Sequence, residues 1–366
     1  MEKNVYICVI QKLPHRVGNQ YLFQKGTRTA PSHYRRLGDD DSAARVVKIM
    51  TLEQILADIK SDRVKKVIFD ADAGNEIDDQ YALAYAISCE KFDVLSVSAS
   101  QFLNTALVPD RKEGMMEGYR EIKRVLNLIG REDIPVYMGV GDALESPNPG
   151  EKCPDVIPVD CEAVDNIIST AKSSDEIVYI MVTGCATNIS SAIAKDPTIK
   201  DNICVLWMGC AYPDMGAASE FNLGQDRFAG RYLMNCGVPM VWLPTESIDA
   251  TWGTQTLKEG RAFLENGFST DTAAGRYFRS ELPLEHDGGY DEDPDGWWHI
   301  FWDVAAPAIL EKPDLCQLEI VDIPRIRGDE VYNFGEPDRP RAIMFRKFTD
   351  PKAILDDMIK GINKII

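Results

Sequence analysis

Four aspartates lie within ten residues of one another in the segment VIFDADAGNEIDDQ, which carries the strongest chemical signal in the sequence. They are Asp70, Asp72, Asp78 and Asp79, and Glu76 adds a fifth carboxylate. Carboxylates at this spacing repel one another unless a cation lies among them. Their hard oxygen atoms favour calcium or magnesium. The segment therefore predicts a metal-binding acidic cluster.

The two pairs of aspartates differ in how far a structural role can explain them. Asp78 and Asp79 precede a run of small and apolar residues, where carboxylates cap a helix and interact favourably with its dipole. Capping does not explain Asp70 and Asp72, which end an apolar run typical of a buried strand. Gly74 allows the backbone to turn tightly, so that Asp72 and Asp79 can face one ion.

The elements that must position these side chains follow a βαβ rhythm. From about Val64 onward, short β-branched runs alternate with amphipathic segments of helical length, which is typical of a parallel sheet covered by helices on both faces. We expect an open, mostly parallel α/β sheet. The predicted strands are 67–70, 94–98, 177–183, 203–208 and 238–243. The predicted helices are 79–89, 113–128, 163–172, 188–195 and 226–235.

The ends of the chain depart from this rhythm. With 366 residues, the chain is long enough for one large domain, and we expect a catalytic domain at 64–366 after an N-terminal extension, 1–63, of unknown role. The extension contains a predicted helix at 51–61. A surface loop is expected at 284–298, and the segment 315–366 is expected to close the sheet.

Polar residues also follow the other predicted strands. Asn104 comes after the second strand, Thr183 ends the next, and Glu220 and Asn222 lie in the loop after the strand that ends at Met208. Ligands of open parallel sheets bind outside the carboxyl ends of the strands. We therefore expect these side chains near the aspartates.

Charge and cysteine usage narrow the class of protein. A formal net charge of -18 repels nucleic acid and anionic membranes and attracts cations, or simply keeps the protein soluble. Nine cysteines lie far apart without a CxxC pair, which predicts reduced core residues rather than a zinc site. Neither a secretory signal nor a membrane-spanning run is evident. These features favour a cytoplasmic enzyme.

Four segments together resemble a known family. DADAGNEIDDQYALAYAI resembles the N-terminal aspartate motif of the inosine/uridine-preferring nucleoside hydrolases. Three further segments resemble later motifs of that family in the same order, namely VTGCATNISSAIAKDPTIKDNICVLWMGC, SEFNLGQDRFAGRYLM and WDVAAPAIL. The resemblance runs from about Val64 to the C-terminus. It implies the Rossmann-like fold of that family.

The resemblance also implies roles for individual residues. A calcium ion would be held by Asp72, Asp79, Asp303 and the backbone carbonyl of Thr183. Asp72 would be the general base for an attacking water molecule. The hydroxyl groups of the sugar would be held by Asp78, Asn104, Asp214, Glu220 and Asn222.

The sequence departs from the family in its first and last motifs. The spacer AGNEI between Asp72 and Asp78 is two residues longer than usual, so Glu76 adds a ligand or is solvated. Trp302 occupies the position where some members have a histidine that protonates the leaving base. His299, three residues earlier, is the candidate replacement. Trp298 is a candidate for stacking on the base, with core packing as the alternative.

These residues favour a calcium-dependent hydrolase that cleaves the N-glycosidic bond of a ribonucleoside or related ribosyl compound to release ribose and base. The expected partner is a small nucleoside, not nucleic acid or a membrane, and the resemblance suggests a homodimer or homotetramer. One alternative is a non-catalytic module that binds sugar or metal on the same fold. Another is a haloacid dehalogenase-like phosphatase, although the chain lacks the DxDGT run of that family.

Overall fold

A computed structural model describes residues 50–211, 220–248, 257–286, 296–327 and 332–366 of the chain. The strands are β1 (Lys65–Ala71), β2 (Phe92–Ala99), β3 (Val136–Met138), β4 (Val178–Val182), β5 (Ile203–Met208), β6 (Met240–Leu243), β7 (Lys258–Gly260), β8 (Trp298–Ile300), β9 (Cys316–Asp322), β10 (Arg325–Ile326), β11 (Tyr332–Asn333) and β12 (Arg341–Phe348).

The α-helices are α1 (Leu52–Ile59), α2 (Asp78–Ser88), α3 (Arg111–Leu128), α4 (Glu162–Ser173), α5 (Thr187–Lys195), α6 (Phe221–Gln225), α7 (Arg227–Leu233), α8 (Arg261–Gly267), α9 (Ala273–Arg276), α10 (Leu282–His286), α11 (Ala305–Glu311) and α12 (Pro351–Ile362). A π-helix, Tyr277–Glu281, joins α9 to α10. Within the described residues, no helix has the length and apolarity needed to cross a membrane.

Eight strands form one sheet in the order β3-β2-β1-β4-β5-β6-β12-β9. All neighbouring pairs are parallel except β12 and β9, which are antiparallel at one edge. The predicted open, mostly parallel sheet is confirmed, as is its closure by the segment 315–366. The strand β6 begins at Met240, two residues later than predicted, because Pro239 has no N–H group to donate to a neighbouring strand.

Consecutive residues of the central strands point into two different hydrophobic clusters. In β1, Phe69 belongs to the cluster that includes Tyr81 of α2, whereas Ile68 belongs to the cluster that includes Ile189 of α5. Side chains of a strand alternate between the faces of the sheet, so the clusters lie on opposite faces. Strands buried on both faces explain why the apolar runs show no alternation.

The predicted helix at 51–61 is observed as α1. A capping box begins it, because the side chains of Thr51 and Gln54 each accept a hydrogen bond from the other residue's backbone N–H. Ile55 and Ile59 are fully buried in the same cluster as Phe69. The end of the N-terminal extension therefore packs against the core of the sheet.

The predicted surface loop at 284–298 was wrong at both of its ends. The helix α10 continues through Leu284 to His286, and β8 begins at Trp298. Trp298 pairs with Gly260 in an antiparallel two-stranded sheet with β7. Residues 287–295 between these elements lie outside the described ranges.

The prediction that the cysteines are reduced core residues was only partly right. The eight described cysteines are free thiols, but Cys153 is exposed and Cys161, Cys236 and Cys316 are only partly buried. Cys153 follows Asn148 and Gly150 in the long connection between β3 and α4, which is rich in Pro and Gly. A connection of this composition runs over the surface of a domain, so its thiol is not in the core.

Close packing of α3 brings this helix against the loops that follow β1 and β2. A Cβ atom at Gly114 would lie 2.1 Å from the backbone carbonyl oxygen of Phe102, and one at Gly118 would lie 3.1 Å from that of Ala73. Both loops begin at the carboxyl edge of the sheet. The two glycines of α3 therefore fix how the loops leave the sheet.

We expect Gly114→Ala to lower the free energy of unfolding. Its methyl group overlaps the Phe102 carbonyl oxygen at 2.1 Å, and such overpacking costs about 1 to 3 kcal/mol, more than the gain in helix propensity of about 1 kcal/mol. Gly150→Ala is the matched control, since a Cβ atom there meets nothing within 4 Å. Urea denaturation measures both. Equal stability of the two variants would contradict this packing.

Candidate active site

The carboxylate of Asp72 lies against the loop that follows β4. The chain turns tightly directly after Asp72, since the N–H of Asn75 donates to the carbonyl oxygen of Asp72 at 3.2 Å and Gly74 has a φ of +89°. A Cβ atom at Gly184 would lie 2.8 Å from Oδ1 of Asp72. A glycine at 184 is therefore required for Asp72 to approach the end of β4.

Asp79 is joined to the same loop by Thr183. The hydroxyl of Thr183 donates to Oδ1 of Asp79 at 2.7 Å, and its backbone N–H donates to the carbonyl oxygen of Asp70 at 2.9 Å. The N-cap of α2 is Ile77, without a side-chain capping bond. Helix capping therefore does not account for Asp79, whose carboxylate is turned toward the carboxyl edge of the sheet.

Asp303 reaches the cluster from the other end of the chain. Its backbone N–H donates to Oδ2 of Asp78 at 3.1 Å, which ties the segment before α11 to the first turn of α2. Asp70, by contrast, accepts a hydrogen bond from Nδ2 of Asn188 at 2.9 Å. Asp70 and Asn188 join β1 to α5 beneath the site.

The carboxylates of the cluster are buried against one another. Asp72, Asp78, Asp79 and Asp303 are between 2% and 6% exposed. Burial, and then the charge of neighbouring carboxylates, raises the pKa of Asp72 and of Asp303 well above the ordinary value. The same causes raise the pKa of Asp79 to about 8. This set of oxygen donors fits a hard divalent cation, which would relieve the repulsion.

Asn222 and Glu220 lie at the end of β5. The side-chain amide of Asn222 donates to the carbonyl oxygens of Thr183 at 2.6 Å and of Met208 at 3.0 Å. The carboxylate of Glu220 accepts from the backbone N–H groups of Asn222, Leu223 and Cys210 at 2.8 to 2.9 Å. Glu220 thus caps α6, a role that its position before a short helical run could have indicated.

Asn104 lies beside the aspartate loop. Its Nδ2 donates to Oδ1 of Asn75 at 3.3 Å. Gln225, which the sequence analysis did not single out, holds this region, because its amide both accepts from the N–H of Leu103 at 2.9 Å and donates to the carbonyl oxygen of Leu103 at 3.2 Å. Asp214 lies outside the described residues.

His299 faces the lengthened aspartate loop. Its Nε2 lies 3.7 Å from Oδ1 of Asp78. Ligand atoms of Glu76, Asp78 and His299 all lie within 4.8 Å of one another, a spacing that could hold a metal ion. This group does not contain Asp72 or Asp303. The segment between Asp72 and Asp78 therefore brings Glu76 to the histidine.

Of the tryptophans near His299, Trp298 is the one turned away. Its side chain is 50% exposed, and Nζ of Lys258 lies 3.5 Å from the centroid of its ring. The ring of Trp297 stacks on His299 at 6.5 Å, and that of Trp302 meets His299 edge to face at 5.7 Å. The described contacts thus bring Trp297 and Trp302, rather than Trp298, to the histidine.

The raised carboxylate pKa values predict how pH affects the metal-free protein. Between the ordinary Asp pKa of about 4 in the unfolded chain and about 8 for Asp79 in the folded chain, the folded state binds more protons. The free energy of unfolding must then fall as pH rises. With chelator present, we expect the Tm to fall from about pH 5 to about pH 8, and divalent cation to restore it at the higher pH.

Asp79→Asn provides the comparison for this measurement. The substitution removes one of the crowded charges, so the metal-free variant should show a flatter dependence of Tm on pH than the unmodified protein. Differential scanning calorimetry across the pH series measures both. A Tm of the metal-free protein that rises over this range would show that the carboxylates do not repel one another as their burial implies.

Comparison with known proteins gives consistent matches. The family described as inosine-uridine preferring nucleoside hydrolase matches residues 67–337. The pyrimidine-specific ribonucleoside hydrolase RihA of Klebsiella pneumoniae is 29% identical over 269 residues, which are 68% of this chain and 80% of that protein. RihA of Citrobacter koseri is 30% identical over 192 residues, 48% of this chain and 58% of that protein.

The fold matches solved structures over most of the chain. The purine-preferring ribonucleoside hydrolase of Gardnerella vaginalis superposes with a TM-score of 0.63 and 21% sequence identity. The superposition covers 82% of this chain and 100% of that one. At this identity the likeness concerns the fold, and it agrees with the α/β sheet described above.

Proposed function

Because the chain belongs to the inosine-uridine preferring nucleoside hydrolase family, we propose that it hydrolyses the N-glycosidic bond of a ribonucleoside or a related ribosyl compound to ribose and free base. The observation that carries this proposal is the convergence of Asp72, Asp79 and Thr183 at the carboxyl edge of the sheet, with Asn222 bound to Thr183. Such an edge is where parallel sheets bind ligands.

We assign calcium to the site, with Asp72, Asp79, Asp303 and the backbone carbonyl of Thr183 as the residues that would hold it. The oxygen-only donor set and the mutual repulsion of the carboxylates support this assignment. When bound, calcium supplies a positive charge that favours ionisation of a water molecule. The amide of Asn222 already orients the Thr183 carbonyl.

Asp72 is the general base of this proposal. Its carboxylate takes a proton from the attacking water molecule, which adds to the anomeric carbon as the bond to the base breaks. Cleavage of a glycosidic bond passes through a state with oxocarbenium character. The negative charges of Asp78 and Asp79 stabilise the positive charge that develops on the sugar ring.

The sugar hydroxyls are held by polar groups around the cluster. Asp78 accepts a hydrogen bond from Asp303, Asn222 donates one to the carbonyl oxygen of Thr183, and Asn104 lies beside the aspartate loop at Asn75. Asp214 and Glu220 complete the set that the family pattern implies. Glu220 acts mainly through Asn222, whose N–H it binds.

His299 is the proposed acid for the leaving base. Its Nε2 lies 3.7 Å from Oδ1 of Asp78 and close to Glu76, at the edge of the cluster where a histidine can donate a proton to a nitrogen of the base. Trp302, which takes the place of a histidine in the family pattern, contacts the ring of His299. Lys258 covers one face of the Trp298 ring, so Trp298 would stack on a base only with its other face.

The lengthened loop also favours a second candidate, a module that binds sugar and metal without turnover. The extra residues place Glu76 within 4.8 Å of Asp78 and His299, where a cation would compete with a substrate for Asp78. Such a protein would bind calcium and ribose and release no ribose from any nucleoside. The family match gives no support to the phosphatase alternative.

We expect Asp72→Asn to lower kcat by at least about 10²- to 10⁴-fold, the usual contribution of a general base, because the attacking water loses its proton acceptor. A reducing-sugar assay over a nucleoside panel, with chelator and with added calcium, measures the effect. Asp62→Asn is the matched control, since that side chain is fully exposed. Near-normal turnover of Asp72→Asn would exclude this assignment.

His299→Ala should slow hydrolysis of nucleosides far more than that of a riboside whose leaving group needs no proton. We expect a loss of about 10²-fold in kcat for nucleosides and little change for p-nitrophenyl riboside, because p-nitrophenolate leaves unaided. Steady-state kinetics on both substrates test this. Equal losses on the two would show that His299 acts on the sugar or on the structure instead.

A further inference from the structure

Cys153 differs from the other described cysteines in exposure. Burial raises the pKa of six thiols, those of Cys89, Cys161, Cys185, Cys204, Cys236 and Cys316. Such thiols are poor nucleophiles because the thiolate is the reactive form. Cys153 is exposed. Among the described residues, it is therefore the thiol most open to reagents in solution.

One arginine contacts the sulfur of Cys153 directly, and a second lies beside the asparagine that the thiol binds. The guanidinium of Arg325 donates from Nη1 to Sγ. The thiol itself donates to Oδ1 of Asn235 at 3.3 Å, an atom that Arg339 also contacts at 2.6 Å. The positive charge of these guanidinium groups therefore lies beside the sulfur, where it favours the approach of an anionic reagent.

A third arginine near this segment, Arg231, is almost completely buried. Arg231 is 5% exposed, and burial lowers its pKa. In the described part of the chain its guanidinium donates one hydrogen bond, to the carbonyl oxygen of Glu151 at 3.1 Å, and its Nε is buried with no hydrogen-bond partner. Glu151, whose carbonyl oxygen it binds, lies two residues before Cys153 in the chain. A buried cation without a carboxylate is costly and favours an anion nearby.

The charge of this cluster is positive in an otherwise acidic protein. Of its three guanidinium groups, Arg325 is paired with a carboxylate, that of Glu336 at 2.5 Å. The contacts of Arg339 are with the side chain of Asn235 and with backbone carbonyl oxygens. Lys152 lies close enough to Glu336 to lower its pKa. An anionic reagent is therefore attracted to Cys153 itself.

We propose that Cys153 is a site of S-thiolation by anionic low-molecular-weight disulfides. The Cys153 proton passes to solvent, and its thiolate attacks one sulfur of the disulfide. The S–S bond of the reagent breaks as a mixed disulfide forms, and the other half leaves as a thiolate that solvent protonates. The carboxylates of the reagent lie against Arg325 and the arginines beside it. This site is separate from the proposed nucleoside hydrolysis.

The charge of the disulfide tests this proposal in the full-length protein. Oxidised glutathione is anionic and cystamine is cationic. The rate at which each disulfide reacts with Cys153 is divided by the rate at which it reacts with an unstructured one-cysteine peptide, which corrects for the intrinsic reactivity of the disulfide. Intact mass spectrometry with peptide mapping locates the adduct. We expect Cys153 to prefer glutathione by about ten-fold or more after this correction, as expected for electrostatic steering. No preference, or faster reaction at Cys161 or Cys236, would overturn the proposal.

Three variants separate the arginine effect from simple exposure. Arg325→Gln should reduce the preference for glutathione, Glu336→Gln should increase it by removing the negative charge, and Cys153→Ser should abolish the adduct. Circular dichroism verifies that each variant is folded. If Arg325→Gln and Glu336→Gln shift the preference in the same direction, breakage of their ion pair rather than charge is responsible, and the proposal is wrong.

Discussion

Repulsion among buried carboxylates is the constraint on which the rest of the site depends. Asp72 and Asp79 come from one segment of the chain and Asp303 from another, and burial beside one another raises the pKa of each. A sheet buried on both faces provides the stability that holds such groups together. The contacts of Thr183 and Asn222 then fix their positions. A site of this kind binds a cation because folding has already brought the repelling charges together.

Small residues allow this crowding, and their positions follow from backbone contacts. Gly184 admits the carboxylate of Asp72, and Gly118 of α3 admits the carbonyl of Ala73. Within the same loop, Asp72 lies against Gly184 after β4, whereas Glu76 lies beside His299. The carboxylates of this one loop therefore face two different parts of the site.

The sequence predicted those parts of the structure that depend on local pattern. Buried strands and amphipathic helices were found within a few residues, and polar side chains at strand ends were expected near the aspartates because topology brings strand ends together. The capping role of Glu220 was missed, although its position directly before the helical run 221–225 could have indicated it. The orientation of Trp298, by contrast, was not predictable from the sequence, because it depends on the pairing of β8 with β7.

The net charge of the protein and the charges of nearby side chains act over different distances. The net charge of -18 repels anions. At 0.1 M salt this repulsion is screened beyond about 10 Å. Within that distance the nearest groups dominate. At the aspartate cluster the local charge and the net charge have the same sign, so both attract a cation within the screening distance. Around Cys153 the nearby arginines oppose the net charge of the protein, so the proposed preference for an anionic disulfide depends on charges within the screening distance of the thiol.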